Sequence, residues 1–512
     1  MWKGLLIFCL MLYNVAIAQV RDSHWITGGP SHLIRLNDTG IVDITKVMDI
    51  GPPRPIFADG SSCISDEKGN IALMCNGYFL YDTSGTVIEN GDSLVPTKLI
   101  KRYSGFSGYI QQSIILPKKD NLYYVFTATM SDGMFDKWQL GENFTFDMLT
   151  YHVVEAYGGG AGKGKVLEKG NVLMKDARLS HNRMTAVKHA NGRDWWLVKP
   201  HKKEQIFYTF LVTPKGISGP YEQNMHLPPV DFPNDNQSSV FGSSVFSRDG
   251  RFYAHTVAEA GVVFVNEFDR CTGKFTEYFT YDIPSGLDSL READFTYGVA
   301  FSPDSKLLYA STAFNVFQID LADKSNNSVQ FIHGPDTLPV RYFTRYLFIQ
   351  LGIDDKLYLG NKHGIFKTMS FIKKPNIRGV GCEFCAKCFS PGFYMGAPTN
   401  MPYYALGPQE GPCDTLREPT TELVLPNAFT PNGDGLNDTW HILNKNSLLA
   451  DNVSVEACGV YNRWGNRVFT ANNIGFSWNG KSLAMGTYIY FIRYRLANGE
   501  TKVKKGEINL IR

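Results

Sequence analysis

The chain has 512 residues, 43% of them hydrophobic and 20% charged, the make-up of a folded protein of two or three domains and not of a disordered one. Lys and Arg total 51 against 49 Asp and Glu, a net charge of +2, which argues against nucleic acid as the main partner because phosphate binding needs a basic excess. Aromatics at 13% beside 48 glycines favour strands joined by tight turns, and no apolar run reaches the ~18 residues of a membrane span.

The first element is an address. A basic start, Met1 to Gly4, leads into an apolar run from Leu5 to Ala18 broken by Asn14, and the run ends in Ala16-Ile17-Ala18. It is too short to span a bilayer and has a small-x-small exit, so residues 1–18 are predicted to be a signal peptide cut between Ala18 and Gln19. Bulky Ile7 and Phe8 precede Cys9, where a lipoprotein signal wants small residues.

From residue 19 to 375 one pattern recurs: an apolar strand, a turn built on Asp or Asn with Gly or Lys, then a strand rich in Leu, Tyr or Phe. The copies run Cys63 to Met74, Ile114 to Tyr124, Ala186 to Leu197, Val245 to Tyr253, Ala300 to Tyr309 and Ile349 to Tyr358. Asp and Asn beside Gly accept the positive φ of a tight hairpin turn, and β-formers flank them. A further strand usually follows, as in Gly261 to Phe268 and Val316 to Asp320. Four-stranded sheets that cannot bury both faces alone are satisfied by radial stacking, so the predicted fold is all-β, a β-propeller. Six hairpins are visible. His24 to Leu36 matches the middle strands of a blade, as in Lys356 to Thr368, so seven blades are expected, the seventh completed by a strand from the C-terminal side; six is the alternative.

Residues 376–420 read as a junction rich in Cys, Pro and Gly, with irregular backbone pinned by cross-links. Export makes disulfides permissible, and Cys63, Cys75, Cys382, Cys385, Cys388 and Cys413 are the candidates. Cys63 and Cys75 flank one turn and are expected to face each other on neighbouring strands. Four converging thiolates near Cys382 would also suit a metal, and free buried thiols are the other alternative; the Gly- and Pro-rich context without a nearby His favours disulfides.

The tail, 421–512, alternates short strands with Asn-Gly and Asp-Gly turns, the layout of a small β-sandwich. It contains Phe429-Thr-Pro431-Asn432-Gly433-Asp434-Gly435-Leu-Asn437-Asp438, then Asn462-Arg463-Trp464-Gly465, Gly486-Thr-Tyr488 and a terminal Leu-Ile-Arg512. Arg463, Trp464 and Trp478 are expected to stack or pack across the two sheets. In this order these motifs resemble the gliding-motility-associated C-terminal domain, the type B sorting domain of the type IX secretion system of Bacteroidota. The resemblance implies a cargo delivered to the outer cell surface or the medium via the periplasm, with the secretion machinery as partner and no chemistry in the tail itself. The propeller is also similar to the uncharacterised propellers joined to such domains, in Asp269 to Gly273 and Gly192 to Trp196. Asn432, Asp434, Asn437 and Asp438 offer oxygens that would suit Ca²⁺, yet the spacing is not that of an EF-hand and turn hydrogen bonding accounts for the same residues.

Motifs of catalysis are sparse: neither a Gly-x-Ser-x-Gly elbow nor a His-Glu-x-x-His helix is present, and no cofactor motif is found. Gly158 to Lys165 lacks the spacing of a phosphate loop and reads as a strand connection. His181, Arg183, His189 and His201 fall on different faces or in turns. Ser247 to Phe252 is similar to the Asp-containing turns of sialidase propellers, and equally to any blade hairpin. The expected function is therefore a secreted module binding a glycan or protein through one propeller face. The alternative is a polysaccharide hydrolase or lyase with its site at the channel mouth.

Overall fold

The computed structural model describes all residues except 1–20, 28–31, 48–56, 58–59, 103–108, 110, 161–163, 203–205, 226–241, 285–294, 335–345, 361–366, 394–395, 397–398, 410–412, 414–422, 424, 433–437, 443–452 and 497–498. The signal peptide with its Ala18–Gln19 cut, and the sorting-motif residues Gly433, Asp434, Gly435 and Asn437, lie outside the described residues.

Each of the six turns closes an antiparallel hairpin, and each holds one residue at positive φ: Gly69, Asp120, Gly192, Gly250, Ser305 or Asp355. The Asp side chains brace these turns. Asp249 Oδ1, for example, accepts from Arg251 N at 3.0 Å and from Ser247 Oγ at 2.6 Å, an Asx arrangement that offers the backbone an alternative to further strand.

The hairpins are the inner halves of successive sheets. Blade 1 has His24–Thr27, His32–Asn37 and Gly40–Lys46; blade 2 has Ser62–Ser65, Ile71–Cys75 and Leu80–Tyr81. Blade 3 has Ser113–Lys119, Leu122–Thr129, Met148–Glu155 and Lys165–Met174, and blade 4 has Thr185–Lys188, Trp195–Pro200, Ile206–Thr213 and Gly216–Asn224. Blade 5 has Ser244–Phe246, Phe252–Val257, Val262–Asp269 and Lys274–Asp282. Blade 6 has Thr296–Phe301, Leu307–Thr312, Val316–Asp320 and Val329–His333, and blade 7 has Phe348–Leu351, Leu357–Gly360, Met369–Ile372 and Phe384–Phe389. Seven sheets stand as blades among the described residues of this part of the chain, which is an all-β propeller. The inner and middle strands are almost continuously buried, as strands covered on both faces must be.

Blade 7 meets blade 1 through Trp25 and Tyr358, edge to face at 4.9 Å. The sheet of blade 1 has three strands, and the strand expected from the C-terminal side to complete it is not found among the described residues; the chain from beyond blade 7 is tied to blade 1 by side chains instead. Thr399 Oγ1 accepts from Ile26 N at 2.9 Å and donates to Ile26 O at 3.0 Å, and Gly396 N donates to Thr27 Oγ1 at 2.9 Å. The chain then runs past the hairpin turns of blades 3 to 5. Tyr404 Oη donates to Ile115 O at 2.8 Å, and buried Arg270 donates to Gly407 O at 2.6 Å.

Two compact units result, Met1–Gly411 and Pro412–Arg512. Part of the stretch read as an irregular junction is thus built into the propeller: Phe384–Phe389 is the outer strand of blade 7. Its bulged register, with Lys387 at φ 54°, interrupts the alternation by which a strand is recognised.

The second unit is a five-stranded sheet in the order Ala428–Phe429, Thr501–Leu510, Gly486–Leu496, Val453–Tyr461, Arg467–Ala471. Tyr488, Tyr490, Ile492, Tyr494 and Leu496 are buried on one face and alternate with exposed or half-buried residues, the period-two signature of a sheet covered on one side. The cover includes Trp440 and Trp478, whose backbones exchange hydrogen bonds of 2.7 and 2.9 Å. Burial of an indole such as Trp440 removes ~200 Å² from water, roughly 5 kcal/mol before chain entropy is counted.

Candidate functional site

The inner strands of blades 4 to 7 surround a cavity of about 60 Å³ at the hairpin-turn end of the channel, lined also by Asp22, Arg248, Met401 and Tyr403; this is room for a few waters. Burial pushes the Asp22 carboxyl up to about 7, against its own backbone and the Arg248 charge, which pull it down. Its Oδ1 is buried without a hydrogen-bond partner among the described residues, as is Arg248 Nε. The Arg248 guanidinium pairs with Asp355 and lies 4.8 Å from the centre of the Tyr403 ring.

Nearer the other end of the inner strands the ring is tied across its centre. Asn400 Nδ2 donates to Ser113 O at 2.8 Å and Met184 O at 3.1 Å, while the Gln111 amide clasps Ser244 N and O at 2.9 and 2.7 Å. Serine hydroxyls add ties between neighbouring blades, Ser113 to Gly60 O at 2.8 Å and Ser244 to Arg183 O at 3.1 Å. These amides join blades 3, 4 and 5 to the returning chain and occupy the middle of the channel with satisfied polar groups.

A second concavity lies beside the channel, between blades 3 and 4; a wider and more open one, about 580 Å³, lies on blade 6 beside Gln318, Asp320 and Arg378. Blade 3 carries a helix, Asp132–Gln139, between its second and third strands. Ser131 caps it, its Oγ accepting from Met134 N at 3.2 Å and donating to Asp147 Oδ2 at 2.5 Å, a serine and carboxylate arrangement that satisfies first-turn amides. Gly141, at φ 99°, turns the chain back through Glu142, Asn143 and Phe144. Leu179 bridges the two blades, pairing with Phe146 on one side and His201 on the other. Next to it Lys202 N donates to Arg178 O at 2.9 Å, which places the two residues opposite one another. The result is a cavity of about 320 Å³ lined by Met134, Gly141, Glu142, Asn143, Thr145, Arg178 and Lys202. Behind it His181 Nε2 and Lys202 Nζ each donate to Phe144 O at 3.1 Å. Burial first, then the charges of Lys202 and Lys199, lower His181 to about 3.

The cysteines divide. Cys385 and Cys388 are joined, and Cys413 is disulfide-bonded, as is Cys271. The reading of Cys63 and Cys75 as a facing pair is corrected: both are free buried thiols. Cys63 pairs with Met74 and Cys75 with Ser62, adjacent register positions whose side chains leave opposite faces of the sheet. Cys382 is likewise a free buried thiol, packed among Tyr309, Leu357 and Ile372, away from the edge strand that holds the Cys385–Cys388 bridge.

Of the tail motif, Phe429 is buried against Trp478 at 5.1 Å; Pro431 and Asp438 are half-buried and Asn432 is exposed. Asn462 Oδ1 caps its turn by accepting from Trp464 N and Asn466 N at 3.0 Å, with Gly465 at φ 77°. Tyr488 Oη donates to Ala484 O at 2.7 Å and Arg512 to Gly480 O at 3.2 Å, and Gly486 takes φ 147°. Trp478 packs inside with Trp440, but Trp464, expected to pack too, is 74% exposed with Arg463 5.2 Å from its ring centre. Gly158–Gly160 forms a turn between strands of blade 3. His189 and His201 stand apart from His181, the former on Cys271 O at 3.0 Å and the latter against Tyr208. Among the described residues no three His, Cys, Asp or Glu gather as a metal site, and no helix is long and apolar enough to cross a membrane. The Arg178–Lys202 cavity and Asp22 left no trace in the sequence; the apolar-to-polar break around Ser131 and Asp132, an N-cap signal, marks the helix that shapes the cavity.

The molecule is thus a β-propeller followed by a small β-domain. Residues 423–510 match the CHU_C Type IX secretion signal domain, and the chain carries that domain as its C-terminal module, which implies export to the cell surface or the medium. No curated protein matches the sequence. Among solved structures, the propeller-like neighbours include the periplasmic gluconolactonase PpgL of Pseudomonas aeruginosa, 11% identical, covering 74% of this chain and 98% of that one at a TM-score of 0.40. A putative 6-phosphogluconolactonase of Bacteroides fragilis is 13% identical, covering 74% and 97% at 0.41. The Dos1 propeller is 10% identical, covering 64% and 70% at 0.34. The likeness is one of fold, and no chemistry is carried over.

Proposed function

We propose that the protein is a type IX cargo whose propeller is a binding module for a glycan or protein, displayed at the cell surface or released. The observation that carries this reading is the contrast between the two concavities. The channel cavity is the size of a few waters and the channel middle is filled by its own amides. The cavity between blades 3 and 4 has ligand dimensions and sets one carboxylate, one amide and two basic residues beside a single apolar side chain, Met134, a polar lining suited to a hydroxyl-rich ligand. Binding of the purified mature chain on a glycan array tests it, with an activity screen run on the same panel. Turnover without retained ligand would overturn it. Deleting residues 421–512 should leave the protein in the periplasm; undiminished surface delivery of the truncated chain would refute export through the tail.

A second reading, a hydrolase or lyase acting on polysaccharide at the channel, is favoured by Asp22 alone, since a half-buried acid with a raised pKa in a cavity is what general acid catalysis uses. Paired carboxylates, as glycoside hydrolysis requires, do not line that cavity among the described residues. If Asp22→Asn abolished an activity found in the screen, this reading would displace the first.

A further inference from the structure

The outer strand of a blade is an edge, a row of backbone N–H and C=O groups open to pairing with another chain, and proteins blunt such edges with charge, proline, bulges or brevity. Six of the seven outer strands are blunted in this way. Gly40–Lys46 carries Asp43, Lys165–Met174 carries Glu168 and three register shifts, and Gly216–Asn224 carries Pro220. Lys274–Asp282 carries Glu277, Phe384–Phe389 carries Lys387 and a disulfide, and Leu80–Tyr81 is two residues long. The outer strand of blade 6, Val329–His333, reads Val-Gln-Phe-Ile-His, without Asp, Glu, Lys, Arg or Pro, and no strand lies beyond it among the described residues. Its one irregularity falls near its end, between the Phe317–Phe331 and Val316–His333 pairs, and leaves Val329 to Phe331 in register. Phe331 is 56% exposed, and Gln330 beside it is exposed too.

Along this edge lies the groove of about 580 Å³ that holds Gln318, Asp320 and Arg378. One wall is fixed by the Gln318 amide: Nε2 donates to Ile377 O and Oε1 accepts from Gly379 N, both at 2.8 Å, which seats Arg378 in an ion pair with Asp320. Asp323, exposed and held by Ser325 N and Oγ at 3.0 and 2.7 Å, also lines the groove, so the lining has one carboxylate in excess. Side chains alternate between the faces of a strand. Gln330 is opposite Gln318 on the groove side, and Phe331 is opposite Phe317 on the other, their rings 5.9 Å apart. We infer that the outer strand of blade 6 is a docking edge for an extended peptide segment of a partner protein, which joins the sheet as a further strand. The added backbone supplies the hydrogen bonds, and its side chains are read alternately, a basic one toward Asp323 and Gln330 and an apolar one toward Phe331. A saccharide has no row of amides at the spacing of a β-ladder, so the edge selects a peptide. The site stands apart from the blade 3–blade 4 cavity and does not rest on that cavity's ligand.

The test is calorimetric titration of the full mature chain with heptapeptides that alternate valine with lysine or with glutamate. Two further copies of the lysine peptide are each N-methylated at one of the two alternate sets of amides, and hydrogen exchange of residues 329–333 follows the complex. The lysine peptide should bind roughly tenfold more tightly than the glutamate peptide. One methylated copy should lose roughly tenfold and the other should not, because only one set of amides faces the edge. Exchange at 329–333 should slow. Phe331→Lys and Gln330→Lys place at exposed positions the charge that the other blades use, and each should lose roughly tenfold in affinity. Gln330→Lys keeps the Phe317–Phe331 contact, so it tests the edge even where Phe331→Lys fails to fold. Neither variant should alter binding on the glycan array. Equal binding of both methylated copies and their parent, full affinity in Gln330→Lys, or no binding by any of these peptides would overturn the docking edge and leave the array result standing. A dimer in sedimentation that both variants abolish would overturn the assignment to a partner protein, the edge then being taken by a second copy of this chain.

Discussion

Asp22 is an acid kept where its charge is poorly solvated, and the consequence is a pH dependence of known sign. Below pH ~4 the carboxyl is protonated in the folded and the unfolded chain alike, so it costs nothing. Between about 4 and about 7 the unfolded chain ionises while burial holds the proton in the folded one, and stability falls as pH rises. Above 7 the full penalty stands, roughly 4 kcal/mol for a displacement of that size. Asp22→Asn should therefore flatten the decline: urea midpoints taken at pH 5 and pH 8 should differ less in the variant than in the natural protein. Parallel pH profiles would show that the carboxyl is solvated. Single residues of this kind were the least legible part of the sequence. Asp22, Gln111 and Asn400 acquire their roles from partners as far as 289 residues away, and no local pattern encodes such a meeting. Cys63 and Cys75 misled for a related reason. Their spacing fits a hairpin pair, but the register slips between Ile64 and Ser65, and a one-residue slip moves a side chain to the other face.

At the level of elements the returning segment tied to blade 1 by Thr399 is the most exposed to test. Thr399 satisfies both Ile26 N and Ile26 O through one hydroxyl, so Thr399→Val leaves two buried backbone groups unmet, at a cost of about 2–4 kcal/mol; Thr399→Ser should cost less than half as much. Thermal denaturation of the two variants side by side checks this, and equal stability would mean that water replaces the hydroxyl. In the tail the contrast is between a glycine and an indole. A Cβ on Gly480, which sits at φ 59°, would come within 2.3 Å of Leu510 Cδ1 and 2.9 Å of Phe429 Cζ, so Gly480→Ala should destabilise that unit by several kcal/mol. Trp464→Ala removes an exposed ring and should leave the melting temperature within about a degree while lowering surface delivery, the result expected of a side chain kept for a partner. Unchanged delivery would make Trp464 a bystander. The hairpins themselves were readable because turn chemistry and strand composition are local. The outer strand Phe384–Phe389 was not, because a bulge and two cysteines replaced the alternation that identifies a strand.

At the scale of the whole molecule the two units keep separate cores. Trp440, Trp478 and Tyr490 belong to one hydrophobic cluster with Ile492 and Leu510, and every member of that cluster falls in the second unit. A unit of about 100 residues with its own sheet and buried indoles has the size and burial of an independently folding domain. It was also the most legible part of the chain, since glycines and asparagines at fixed offsets are demanded by turns such as the one capped by Asn462, whereas the cavity beside the channel depends on how blades 3 and 4 meet. Independence makes the export function transferable. A monomeric periplasmic passenger with its own signal peptide, followed by residues 412–512, should reach the surface of a cell that has the type IX machinery, as read by protease accessibility on intact cells. The same passenger without the tail should stay protected, and the passenger with Gly480→Ala in the tail should be delivered poorly, because a signal read as a folded surface is lost when that fold is strained. Delivery of the strained tail at full efficiency would show that the machinery reads a linear stretch of chain, and the role assigned to the folded sheet would have to be withdrawn.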